Sequence, residues 1–104
     1  RRLRGFRFLL MLSPCPTGWK SEPTESVTLI DLAVRCGLFP VYEVFDGVRY
    51  RINVRPDGTP VQAYMEHQRR YTSATIDAGR LQARLEAHWR YLETVARSFP
   101  AGDE

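Results

Sequence analysis

Asp46-Gly47 lies between two strand-like runs, and it constrains the fold more than any other dipeptide in the chain. A two-residue type I′ turn needs positive φ at both central positions, which this pair tolerates. Residues 41–45 and 48–54 therefore read as the two arms of a β-hairpin. Tyr50, Ile52 and Val54 alternate with Arg49, Arg51 and Asn53, which predicts one buried face and one wet face. Arg55-Pro56-Asp57-Gly58 is a second turn signal.

The remaining elements follow from apolar spacing. Residues 6–12 are apolar except for Arg7 and read as a strand covered on both faces. Residues 13–23, with three prolines and a glycine, read as a loop. Residues 24–36 read as a helix on the repeat of Val27, Ile30 and Val34, with Leu29 and Ala33 beside them. Thr24 or Ser26 is its expected N-cap, and Gly37 supplies the left-handed residue past its end. A shorter helix over 60–71 puts Val61, Tyr64, Met65 and Gln68 on one face, and a polar loop over 71–75 follows it. The longest helix spans 76–97, with Leu81, Leu85, Trp89, Leu92 and Val95 forming its stripe. Residues 1–5 read as a helix end or linker and 98–104 as a flexible tail. The expectation is a single α/β domain over residues 1–104: a core strand, a β-hairpin and three helices.

Charge and cysteine content narrow the function. A net charge of +3 over 104 residues, spread along the chain, gives no argument for nucleic acid. The one basic cluster, Arg1-Arg2-Leu3-Arg4, reads as a solvated end. No apolar run approaches the ~20 residues that span a bilayer, and the 6–12 segment is too short for a signal-peptide core. Two cysteines in different contexts suggest a reducing compartment, so the expected location is cytoplasmic. A first residue of Arg and a strand-like run close behind it fit a fragment, or a short subunit that joins others.

Ser13-Pro14-Cys15-Pro16-Thr17-Gly18-Trp19 is the segment most suggestive of chemistry. Proline fixes its own φ and pushes the preceding residue out of the helical region, so two of them hold Cys15 in a rigid, extended setting. A cysteine there reads either as a thiolate ligand to a metal or iron–sulfur cluster, usually one of four, or as a small buried hydrophobe, the commoner role of a free thiol. No C-x-x-C accompanies it. Cys36, at a helix end whose dipole disfavours the thiolate, reads as packing. His67 and His88 read as surface or core-edge residues, with no partner at metal-ligand spacing, and no phosphate-binding glycine loop occurs. Arg69-Arg70-Tyr71 reads as a stacking surface for nucleic acid or, by base rate, as a solvated helix face or protein contact.

Several segments in order carry a resemblance: Ser13 to Trp19 as written above, Leu32-Ala33-Val34 with Cys36-Gly37-Leu38-Phe39-Pro40-Val41-Tyr42-Glu43, Pro60-Val61-Gln62-Ala63-Tyr64-Met65, and Gln68-Arg69-Arg70-Tyr71. Over about residues 5–97 the chain resembles the C-terminal part of the thiamine-diphosphate-binding beta subunit of pyruvate and related 2-oxoacid:ferredoxin oxidoreductases. The resemblance implies the C-terminal fragment of a thiamine-diphosphate-binding fold, in which residues 6–12 form a core strand. It implies that Cys15 is one ligand of a 4Fe-4S cluster, with three ligands outside this chain. It places most of the grip on thiamine diphosphate and magnesium outside these residues as well. The implied activity is oxidative decarboxylation of a 2-oxoacid, pyruvate by the Gly18-Trp19 form, to an acyl-coenzyme A, with electrons passing to ferredoxin. The implied partners are the rest of the oxidoreductase, ferredoxin and coenzyme A, with no nucleic acid and no membrane. The isolated chain is then inactive. The alternative is a non-catalytic docking module or the relic of a split subunit.

Overall fold

The computed structural model describes residues 4–71 and 76–102. Part of the basic cluster at 1–4, most of the polar loop at 71–75 and residues 103–104 lie outside them. Helix α1 is a single turn, Pro16–Trp19, within the segment expected to be a loop. A 3-10 turn over Pro23–Glu25 leads into α2, Ser26–Arg35. The hairpin strands are β1, Val41–Phe45, and β2, Arg49–Val54. Helix α3, Val61–Glu66, gives way to a 3-10 turn at Arg69–Tyr71, and α4, Ala78–Ser98, closes the order. The expected hairpin and three helices are present. The strand expected at 6–12 is not.

That segment forms no strand among the described residues, and from Phe6 to Met11 its side chains are exposed, Phe6 to 90% and Leu9 to 80%, while Leu12 is partly buried against the core. A strand is made by a hydrogen-bonded neighbour, and the apolar pattern alone does not supply one. Residues 6–11 thus form an apolar arm in front of Pro14.

Helix α2 sits at the centre. It buries Leu29, Ala33 and, at its C-cap, Cys36 against Trp19 from α1 and Val61 and Tyr64 from α3. Its first turn is entered through the Pro23–Glu25 turn, so neither Thr24 nor Ser26 caps it; the Ser26 hydroxyl donates instead to the Pro23 carbonyl at 3.0 Å. Gly37 ends the helix at φ +86°, as expected. A Cβ there would also lie 2.7 Å from the Trp89 indole nitrogen, which donates to the Gly37 carbonyl at 2.8 Å. Gly37 therefore joins α2 to α4 by its conformation and by its lack of a side chain.

The face predicted for the 60–71 segment is seen in α3 and the turn after it, with Val61, Tyr64 and Gln68 each at most 2% exposed. The α3 amide of Val61 donates to the Gln82 side chain of α4 at 2.8 Å. Helix α4 starts at the Asp77 carboxylate, which accepts from Gly79 and Arg80 amides. Its stripe buries Trp89 and Leu92, with Leu81 and Leu85 against the core.

In the hairpin turn, φ is +55° at Asp46 and +74° at Gly47, as a type I′ turn requires. The predicted division into a buried and a wet face does not hold. No hairpin residue is buried, and Tyr42, Val44 and Val54 are each at least 40% exposed. Tyr42 stacks on Tyr50 across the two-stranded sheet at 6.2 Å. The stretch expected as a tail runs beside β2. Tyr50 donates to Phe99 and accepts from Ala101, and Arg51 donates to the Gly102 carbonyl.

Candidate functional site around Cys15

Pro14 and Pro16 shape the site as the sequence implies. Cys15 is extended, at φ −117° and ψ 103°, and serves as N-cap of α1. Proline at the first helical position costs no hydrogen bond, because that amide would have no partner in any case. The turn closes where the Trp19 amide donates to the Cys15 carbonyl at 2.7 Å. The Gly18 amide points at the cysteine sulfur, 3.4 Å from Sγ. Lys20 then takes the left-handed conformation, φ +54°, and its amide donates to the Pro16 carbonyl.

Cys15 is exposed, so it is not the packing residue that a free thiol commonly is. Gly18 matters to that exposure. A Cβ at 18 would rest 3.5 Å from Sγ, in ordinary van der Waals contact. Glycine is not forced by the backbone here; it leaves the sulfur uncovered on that side.

The turn is held from behind. Trp19 is 9% exposed and meets the Tyr64 ring edge-on at 6.0 Å. The Arg70 guanidinium lies over the Trp19 ring, 4.4 Å from its centroid, and 4.8 Å from that of Tyr71. It also donates to Gln68 Oε1 at 2.6 Å and to the Tyr64 hydroxyl at 3.1 Å. Gln68, 1% exposed, donates in turn to the Tyr64 carbonyl. The Arg69 amide donates to the Lys20 carbonyl at 2.9 Å. The Arg69-Arg70-Tyr71 segment is thus an internal contact surface for α1. No spacing rule brings Trp19 and Arg70 together, because they lie far apart along the chain; two adjacent arginines beside a tyrosine are the only hint.

The other candidates lie elsewhere. Cys36 is buried, donates to the Ala33 carbonyl at 3.6 Å, and has its thiol pKa pushed up by burial. His67 and His88 are both exposed; His67 faces Glu25 at 3.4 Å and His88 lies near Tyr91. Among the described residues no three His, Cys, Asp or Glu side chains converge on a metal position. The donor set fits one thiolate ligand of a shared cluster, with an amide hydrogen already aimed at its sulfur, and no complete site. No helix among the described residues is long and apolar enough to cross a membrane.

No family model matches the chain. Curated relatives do. The chain is 35% identical over 92 residues to pyruvate synthase subunit PorB of Methanocaldococcus jannaschii, an alignment covering 86% of this chain and 30% of that protein. The PorB subunit of Methanothermobacter thermautotrophicus is 36% identical over 94 residues, covering 89% of this chain and 30% of the relative. The ketoisovalerate oxidoreductase subunit VorB of Pyrococcus horikoshii is 29% identical over 103 residues, covering 95% and 33%. The chain spans about a third of the length of these relatives. Over most of its length, then, the chain is similar to proteins that are 2-oxoacid:ferredoxin oxidoreductase beta subunits.

Proposed function

We propose that this chain works as the C-terminal part of a 2-oxoacid:ferredoxin oxidoreductase beta subunit and that Cys15 supplies one ligand to a 4Fe-4S cluster. The relatedness to PorB and VorB subunits over most of the chain carries the reading. The exposed, proline-braced thiol supports the ligand role, because its backbone is fixed before a ligand arrives. When bound, thiamine diphosphate with magnesium supplies the carbon chemistry of decarboxylation and the cluster supplies one-electron transfer.

This chain's own residues position the thiol. Pro14 and Pro16 set the direction of the Cys15 side chain, the Gly18 amide offers a hydrogen bond to its sulfur, and Gly18 leaves a path open toward it. The substrate is a 2-oxoacid, with pyruvate favoured, and the product an acyl-coenzyme A. The partners are the rest of the oxidoreductase, ferredoxin and coenzyme A. Residues 6–11 are the expected contact with the remainder of the subunit, where a neighbouring strand completes them as a core strand of the thiamine-diphosphate-binding fold.

Anaerobic purification of the native protein, with mass and iron analysis, tests this reading. The expected result is an assembly larger than 12.0 kDa that contains iron and sulfide and loses iron in Cys15→Ala. A lone iron-free chain would overturn it and leave a docking module or relic.

A further inference from the structure

We propose that Arg70 is a positioning residue for Cys15, acting through Trp19; the functional meaning rests on the ligand role just described. The turn that carries Cys15 is only four residues long, and a helix of one turn does not hold itself in water. Its order comes from what grips Trp19. That ring is fixed on one side by the edge contact with Tyr64 and on another by the Arg70 guanidinium at 4.4 Å.

Arg70 is built for this task. Its planar cation is shared between Trp19 and Tyr71, and its donors end on Gln68 and the Tyr64 hydroxyl. Gln68 accepts from it while being almost fully buried. The groups that Arg70 meets, Gln68, the Tyr64 hydroxyl and the Trp19 and Tyr71 rings, are all neutral. Its charge therefore remains directed at the ring and the turn, where the negative face of the indole attracts it. From Trp19 the constraint passes through one backbone bond, Trp19 amide to Cys15 carbonyl, to the residue that presents the sulfur. Lysine does not reproduce the arrangement, because it lacks the planar fork that stacks and donates at once.

The test is amide hydrogen exchange on the complete chain carrying Arg70→Met or Arg70→Lys, with near-ultraviolet circular dichroism of Trp19. Trp19→Phe identifies the Trp19 band against Trp89. Arg70→Met is expected to speed exchange at Gly18 and Trp19 about tenfold, as a turn released from its clamp opens locally. It is also expected to abolish the Trp19 band, with α4 exchange unchanged. Arg70→Lys is expected to recover only part of both signals. Unchanged exchange at 18–19 in Arg70→Met, or an equal rise along α4, would overturn the proposal. Full rescue by lysine would also overturn it, since charge alone would then suffice. Should Arg70→Met not fold, Tyr71→Leu, which frees one face of the cation, is expected to give the same local signature at smaller size; its absence there counts against the clamp. These readouts need no iron, so they stand or fall separately from the cluster-ligand reading.

Discussion

At the scale of single residues the two cysteines divide by environment. Cys15 is exposed on a braced turn and Cys36 is packed with its pKa raised by burial. In the folded protein at pH 8, iodoacetamide is expected to modify Cys15 and leave Cys36 largely unmodified, and denaturant is expected to equalise them. Peptide mass mapping reads both sites, and equal modification without denaturant would show that Cys36 is not packed as described. Asp57 gives a separate pH signal. Hydrogen bonds from Thr59, then from Arg35 at 2.7 Å, hold its carboxyl down at about 2. A carboxyl depressed in the fold stabilises above its unfolded pKa and loses that contribution as pH falls through the folded value. Asp57→Asn is therefore expected to flatten the acid limb of the stability curve between about pH 4 and pH 2, as read by urea midpoints. Cys15 stood out in the sequence because proline acts on the backbone locally. Arg70 and Trp19 did not, because a cation–π contact between residues far apart leaves no spacing to read.

Among the elements, legibility followed how local the governing force is. The hairpin was readable from Asp46-Gly47, whose two positive φ values are a property of the turn itself. Helix α4 is readable from its stripe, though the stripe does not mark its start: the helix begins after Asp77, whose carboxylate caps it, and not at Ile76. The 6–12 segment forms no strand among the described residues because apolar content reports a tendency to be covered, while pairing depends on another segment. The hairpin's faces differ from expectation for the same reason: alternation shows which side is apolar and not how far it is covered. Gly37 is where two elements depend on one residue. Gly37→Ala combines a left-handed φ with a clash against Trp89, so it is expected to destabilise by about 2 kcal/mol or more. Urea unfolding followed by Trp89 fluorescence checks this, and a loss below half that size would mean that the α2–α4 junction gives way easily.

For the whole molecule, the dominant fact is an apolar arm with no cover from the described residues. Phe6, Phe8, Leu9, Leu10 and Met11 are each at least 68% exposed, and only Arg7 interrupts them. Exposed apolar surface of that kind drives association. The chain made alone is expected to self-associate, and Leu9→Asp with Leu10→Asp is expected to shift it toward monomer in light scattering. An unchanged mass distribution would place the sticky surface elsewhere.

The same arm makes an unassembled chain recognisable. Chaperones and proteases bind exposed apolar extended segments, so a copy that finds no partner carries its own degradation signal, while an assembled copy hides it. Subunit stoichiometry would then be corrected after synthesis by destroying the excess. The chain's half-life in cells is expected to lengthen several-fold when the rest of the oxidoreductase is made alongside it. The charged arm variant is expected to live long in either case, and a pulse-chase showing equal lifetimes throughout would remove the arm from that role.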